Sequence, residues 1–419
     1  MQKFIINGKK KLNGELNVHG AKNSVLPILA ATILCDSQCI IHNCPDLSDV
    51  KVAINILKYL GCKVEHKSDT IIVEPNLSKY EIPDDMMRSM RSSIIFLGAI
   101  LSRFGKAKLS FPGGCELGPR PIDIHLKALT DIGMVLKEEC GILDCCLNND
   151  RFTGAKIMLP FPSVGATENI ILASVLADGN TTIINAAREP EICDLSNFLN
   201  KCGAKISGAG TGTIEIEGVK KLLGTEHNVI PDRIEATTLM ACACVTNGTL
   251  TLNDILLEHM NPVLSFFEDI GCKLKSYNKN RLKINAPAKL KATNSIIKTM
   301  PYPGFPTDAQ AIIMSVTSLN PGTDVFVENI FESRYRHVDE LIRLGADINI
   351  EGRVAIVRGV KQLYGNNVSA YELRGAAALV IAGLAAEGTT RIDGIKYLDR
   401  GYENLDKSLK NIGASIKRE

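Results

Sequence analysis

The sequence predicts an α/β protein of two domains, each built from three copies of one unit of about 70 residues. Two observations predict it. A glycine-centred phrase recurs six times along the 419 residues, and a helix–turn–strand phrase runs in step with it.

The first phrase is an apolar residue, Gly, a small or apolar residue, any residue, then an aliphatic. It occurs at Leu60-Gly61-Cys62-Lys63-Val64, Ile132-Gly133-Met134-Val135-Leu136 and Cys202-Gly203-Ala204-Lys205-Ile206. It returns at Ile270-Gly271-Cys272-Lys273-Leu274, Leu344-Gly345-Ala346-Asp347-Ile348 and Ile412-Gly413-Ala414-Ser415-Ile416. The glycines are 72, 70, 68, 74 and 68 residues apart. In the first copy Gly61 follows a helical pattern over 50–60 and precedes a strand. That is the place for a helix C-terminal glycine in a left-handed conformation.

In the second phrase an apolar helix ends in a turn and a β-branched strand follows. Its clear copies surround Gly179, Gly248, Gly322 and Gly388, with weaker ones at Gly105 and Asp36. Each unit therefore reads as helix, turn, strand, helix, Gly, then two strands. The strand pair shows period-two alternation, as over 205–217. Units this long are not solenoid repeats. Three of them make a domain of ordinary size, and two such domains leave a natural ligand cleft.

Composition narrows the function. Net charge is +2, there is no Trp, and aromatic residues make up 5%, which disfavours nucleic acid as a partner. The N-terminal stretch carries Lys9, Lys10 and Lys11 with no apolar signal core after them. The longest apolar runs, 93–101 and 375–386, fall short of the roughly 18 residues of a membrane span. The expectation is a soluble cytoplasmic protein without membrane insertion. Thirteen cysteines without a signal peptide read as reduced thiols. The spacing of Cys35, Cys39, His42 and Cys44 matches no standard zinc pattern.

Several motifs carry chemistry. The segment from Phe111 to Asp123 breaks the repeat rhythm and presents Cys115 five residues before Arg120, and a thiol near cations ionises more readily. Arg334, Arg374 and Arg400 stand at repeat junctions, and Arg suits bidentate capture of phosphate or carboxylate. Lys22 and Asn23 precede a helix, which with the amine makes an anion site. Asp308 ends a Pro-rich turn before an apolar helix, where it also suits a helix N-cap. No P-loop and no dinucleotide fingerprint is present.

Together with Ser163-Val164-Gly165-Ala166-Thr167, the phrase from Asn185 to Glu191, Pro231-Asp232-Arg233-Ile234-Glu235 and Arg400-Gly401-Tyr402-Glu403, these residues give the chain its likeness. From Phe4 to Ile416 it resembles the UDP-N-acetylglucosamine 1-carboxyvinyltransferase family of enolpyruvyl transferases. The resemblance implies two inside-out α/β barrel domains, each of three pseudo-repeats. It sets them at residues 22–231 and at 1–21 with 232–419, with the active site in the cleft between them. It implies transfer of the enolpyruvyl group of phosphoenolpyruvate to the 3'-hydroxyl of UDP-N-acetylglucosamine, the first committed step of peptidoglycan synthesis, without a metal or cofactor.

Roles follow by position. Cys115 resembles the acid that protonates the methylene carbon, with a covalent phosphoenolpyruvate adduct as a further role. Asp308 resembles the base and, with Asn23, a partner of the sugar hydroxyl. Lys22, Arg120 and Arg400 resemble the phosphate clamp, and Arg334 and Arg374 add positive charge. Arg91, Pro121, Ile122, Asp123, Ile124, Ser163, Val164, Gly165 and the backbone of Ile330 resemble nucleotide-sugar contacts. A Cys at position 115 predicts alkylation by fosfomycin. Two positions depart from the family pattern: Glu372 replaces a common Asp, and Phe161 stands where some members carry a Lys.

Two alternatives compete. The sister enzyme acting on shikimate 3-phosphate shares the fold and lacks the Cys-bearing loop. A non-catalytic nucleotide-sugar-binding paralogue would have no need of Cys115, Lys22, Asp308 and Arg400 together.

Overall fold

In the computed structural model, which describes residues 2–113 and 122–419, the predicted unit recurs six times. The third copy displays it fully. Helix Val164–Ser174 leads to strand Asn180–Ile184, then helix Pro190–Lys201, then the hairpin Lys205–Ser207 and Thr213–Glu217. The last strand of the hairpin lies between its partner and Asn180–Ile184, antiparallel to both. All six glycines of the recurring phrase have positive φ, from 94° at Gly345 to 114° at Gly133, so each ends its helix in the conformation that disfavours a side chain.

One element of the unit is not legible in the repeats. A short strand precedes the first helix and pairs in parallel with the strand that follows it, as Lys156–Met158 does with Asn180–Ile184. Among the described residues five sheets have this fourth strand. In the sixth, of strands Lys106–Ser110, Met134–Glu139 and Ile142–Leu147, a single bridge between Glu81 and Lys108 takes its place. Four of the five parallel strands have three residues, too few for alternation to register.

The described residues form two units, one from Gly20 to Ile230 and one combining residues up to His19 with Pro231–Glu419. In the first, helices Lys22–Ala31, Phe96–Phe104 and Val164–Ser174 are buried along most of their length. They are apolar on nearly every side, as a helix enclosed by other elements must be. The outer helices Ser48–Leu60 and Pro190–Lys201 bury one face only. The second unit repeats the plan around helices Arg233–Val245, Thr307–Thr317 and Leu373–Ala385. Ser315 Oγ donates to the carbonyl of Ala378 at 2.9 Å, joining two of these helices.

The N-terminal strands belong to the second unit. Lys3–Asn7 fills the centre of the last sheet, antiparallel to Thr389–Asp393 and Ser415–Arg418. Asn13–Asn17 supplies the parallel edge beside Thr249–Asn253. In the first unit Glu226–Asn228 supplies the edge beside Cys39–His42. No described helix is long and apolar enough to cross a membrane.

Candidate active site

The repeat sets chemistry-bearing residues at equivalent places, the first turns of the buried helices. Lys22 opens Lys22–Ala31, Asp308 is second in Thr307–Thr317, and Arg374 is second in Leu373–Ala385. First-turn backbone N–H groups lack intrahelical partners and carry the positive end of the helix dipole.

In the unit that holds residues 231–419, three expected site residues meet. Arg334 Nη2 donates to Asp308 Oδ1 at 2.7 Å, and Arg374 Nη2 donates to Oδ2 at 2.9 Å. Both guanidiniums are nearly sealed, at 2% and 3% side-chain exposure, while Asp308 stays 28% exposed. One carboxylate thus bridges two buried cations while its side chain stays partly exposed. Asp308 is not the helix N-cap that its position also allowed. Pro306 holds that place, and the Asp308 side chain turns to the arginines because two buried charges need a counter-charge.

Further groups fix Arg374. Its Nη1 donates to Tyr402 Oη at 3.2 Å. Thr238 Oγ1 donates to the Ile234 carbonyl, so at 2.8 Å from Tyr402 Oη it receives the phenolic proton. A directed chain therefore runs from Arg374 through Tyr402 and Thr238 to the backbone. Burial works against the charge of Arg374, but Asp308, Tyr402 and Asp232 hold its guanidinium above the ordinary arginine range. Burial pushes Tyr402 up to about 12, against the pull of Arg374. Glu372 caps the helix: its Oε2 accepts from the Arg374 N–H at 2.8 Å and its Oε1 from the Gly375 N–H. Glu372 thus supplies the cap that the expected Asp would have supplied. Arg400 ends the 3-10 helix Ile395–Arg400, two residues before Tyr402. Ile330 gives its N–H to Glu328 Oε1 at 2.8 Å.

The other unit holds the remaining described residues. Lys22 Nζ lies 2.7 Å from Asp49 Oδ2. Asn23 follows it and is exposed, and Ser24 Oγ donates to Asp194 at 2.5 Å. Arg91 opens the 3-10 helix Arg91–Ile95. Ile122, Asp123 and Ile124 open helix Asp123–Asp131. Ser163 caps the Val164–Ser174 helix, accepting from the Ala166 N–H at 3.4 Å, with Val164 and Gly165 following.

One side chain ties these three starts together. Asn169 Oδ1 accepts from the Gly98 N–H at 2.8 Å, which fixes the orientation of the amide. Its Nδ2 then donates to the Ile94 carbonyl and to His125 Nδ1, both at 2.9 Å. His125 is therefore protonated on Nε2, and burial pulls it down to about 4, so it is neutral at pH 7. A Cβ on Gly165 would come within 2.9 Å of His125 Cε1, so only glycine lets the Ser163–Gly165 turn lie against the ring. Phe161 is 40% exposed two residues before the turn. Cys115, Arg120 and Pro121 lie outside the described residues.

Sequence reasoning missed Asp49, Asn169, His125 and Glu328. Asp49 has the appearance of an ordinary acidic residue in a helix first turn, and Asn169 lies inside an apolar helix with no motif around it. Tyr402 stood inside a quoted phrase, but nothing local announced its bond to Arg374.

A family model described as EPSP synthase (3-phosphoshikimate 1-carboxyvinyltransferase) matches residues 6–409. The chain is 54% identical over 419 residues to UDP-N-acetylglucosamine 1-carboxyvinyltransferase 2 of Caldanaerobacter subterraneus subsp. tengcongensis, covering 100% of both chains. It is 47% identical over 418 residues to UDP-N-acetylglucosamine 1-carboxyvinyltransferase 1 of Carboxydothermus hydrogenoformans, covering 100% of this chain and 98% of the relative. Among solved structures, the enolpyruvyl transferase NikO from Streptomyces tendae superposes with a TM-score of 0.90 at 23% identity, over 100% of this chain and 98% of that one. EPSP synthase from Acinetobacter baumannii gives 0.77 at 18% identity over 100% of both chains. At such identities these two speak for the fold alone.

Proposed function

Since this chain belongs to the EPSP synthase family, and within it to the UDP-N-acetylglucosamine 1-carboxyvinyltransferases, we propose that it transfers the enolpyruvyl group of phosphoenolpyruvate to the 3'-hydroxyl of UDP-N-acetylglucosamine. This is the first step of peptidoglycan synthesis. Identity of about half over the whole chain with relatives of that name carries the assignment and favours the nucleotide sugar over shikimate 3-phosphate.

The chemistry is addition followed by elimination. Asp308 takes the proton of the sugar hydroxyl as its oxygen bonds to C2 of phosphoenolpyruvate, and Cys115 protonates the methylene carbon. The resulting ketal collapses by C–O cleavage, a proton leaves the methyl group, and phosphate departs. Lys22, Arg120 and Arg400 hold the phosphate, while Arg334 and Arg374 supply fixed positive charge near the reacting carbon. The bridged geometry supports the Asp308 role, because two buried arginines orient its carboxylate while the side chain stays partly exposed. Arg91, Pro121, Ile122, Asp123, Ile124, Ser163, Val164, Gly165, Asn23 and the Ile330 carbonyl contact the nucleotide sugar. Asn169 ties together the helices that begin at Arg91, Asp123 and Val164, which supports a shared role for the residues at those starts. We read residues 22–231 and 1–21 with 232–419 as the two three-repeat domains, each contributing part of the binding set.

No metal or cofactor is needed, because fixed cations suffice to hold a departing phosphate. Cys115 also forms a covalent phosphoenolpyruvate adduct and is alkylated by fosfomycin, and the enzyme works in the cytoplasm. The test is mass spectrometry of a reaction with both substrates. The enolpyruvyl ether of the nucleotide sugar is expected, and its absence over many turnovers' worth of enzyme would sink the proposal.

A further inference from the structure

Glu328 follows strand Thr323–Val327 and is 1% exposed. A carboxylate so deeply buried is costly unless donors surround it. Three do. Its Oε1 accepts from the N–H groups of Ile330 at 2.8 Å and Phe331 at 3.0 Å, and its Oε2 accepts from Thr307 Oγ1 at 3.0 Å. All three donors sit on segments that carry the site. Thr307 is the neighbour of Asp308 and opens the same helix. Ile330 and Phe331 begin the loop that leads to Arg334. The two segments meet again at Arg334, whose Nη2 donates to the Thr307 carbonyl at 3.2 Å as well as to Asp308. Asn329 steadies the loop from the other side, with its N–H to Thr299 Oγ1 at 2.9 Å and its Nδ2 to the Thr299 carbonyl at 3.1 Å.

From this geometry we infer that Glu328 is a positioning residue for the reaction: it clamps the Arg334 loop to the start of the Thr307–Thr317 helix, so that Asp308 and Arg334 meet with the spacing the chemistry uses. This inference rests on the proposed function. Glu328 touches neither substrate. It acts as an acceptor that holds two chain segments in register, and any group able to accept the same bonds at the same place can replace it.

The experiment measures phosphate release from phosphoenolpyruvate with UDP-N-acetylglucosamine by the full chain and its variants, well below their unfolding temperatures. Glu328→Gln keeps an oxygen for the two N–H groups and an amide for Thr307, and retains kcat/KM within about threefold. Glu328→Leu strands those donors and lowers kcat/KM by about 30- to 100-fold, the scale of a misplacement near 1 Å. Thr307→Val, which removes one bond only and does not threaten the fold, lowers it about fivefold. In combination with Arg334→Gln, Glu328→Leu adds little further loss, because both act on one unit, whereas a purely structural role adds its full effect. Wild-type values in Glu328→Leu and Thr307→Val, or additivity with Arg334→Gln, overturn the inference. Silence of the wild-type chain with this acceptor overturns the proposed function instead.

Discussion

Lys22 and Asp49 form a 2.7 Å ion pair whose side chains are only 12% and 3% exposed. A nearly sealed pair of this kind contributes little against a well-packed apolar pair, but losing one member leaves a charge stranded. Asp49→Ala therefore lowers unfolding free energy by about 3 kcal/mol, and Lys22→Met combined with Asp49→Leu recovers most of it. Denaturant unfolding of the three proteins checks this. The recovered double variant is expected to release no phosphate, since Lys22 belongs to the proposed phosphate clamp.

Asp308 holds both Arg334 and Arg374, so replacing it by a neutral isostere removes the proposed base and loosens two cations. Asp308→Asn is expected to lower kcat by about 100-fold or more, the usual scale for a lost general base. Binding of UDP-N-acetylglucosamine, followed by calorimetry, survives within about tenfold. Near-normal turnover in Asp308→Asn would remove the carboxylate from the mechanism.

His125 gives the protein an acid-sensitive component. Its folded value, about 4, lies below the 6.5 of an unperturbed histidine because it is buried. The unfolded chain then binds the proton first. The stability concerned is intact above pH 6.5 and drains away as pH falls from 6.5 to 4. Between pH 7.5 and pH 5 the loss is about 2 kcal/mol. His125→Gln, compared with wild type by denaturant unfolding at both pH values, should show a fall smaller by about that amount.

His19 works in the opposite direction. Its hydrogen bond to Glu235 raises it to about 9, against burial. Its contribution is complete below pH 6.5 and disappears as pH rises through 9. His19→Gln therefore lowers stability most near pH 6, leaves it nearly unchanged near pH 10 and so flattens the fall between them, which thermal unfolding from pH 6 to 10 reads directly.

Glu372 reaches the cap of the Leu373–Ala385 helix with its longer side chain. Glu372→Asp is expected to keep the cap and turnover within about threefold, since Asp is a favoured N-cap. Glu372→Ala costs about 1 kcal/mol of stability through the lost cap. It also weakens turnover, because the N–H it caps belongs to Arg374. Melting temperature and phosphate release together separate the two effects.

The repeat was legible because each copy needs a left-handed residue at one place, and Gly61, Gly133, Gly203, Gly271, Gly345 and Gly413 mark that need in the sequence itself. The parallel edge strands were not legible, since three residues such as Lys156–Met158 carry no periodic signal. At the site, residue types were visible and pairings were not. Asp308 announced itself as a carboxylate at a helix start, yet its partners lie 26 and 66 positions away, and no local pattern encodes a contact at that range. Asn169 and Glu328 were invisible for the same reason. Each is a polar residue in an apolar stretch whose purpose appears only when distant segments fold against it.

The most direct test of the central claim is phosphate release from phosphoenolpyruvate with UDP-N-acetylglucosamine or shikimate 3-phosphate as the acceptor. Release with the nucleotide sugar alone, abolished by prior incubation with fosfomycin, is the predicted result. Release with shikimate 3-phosphate alone, or with neither acceptor, would contradict the account.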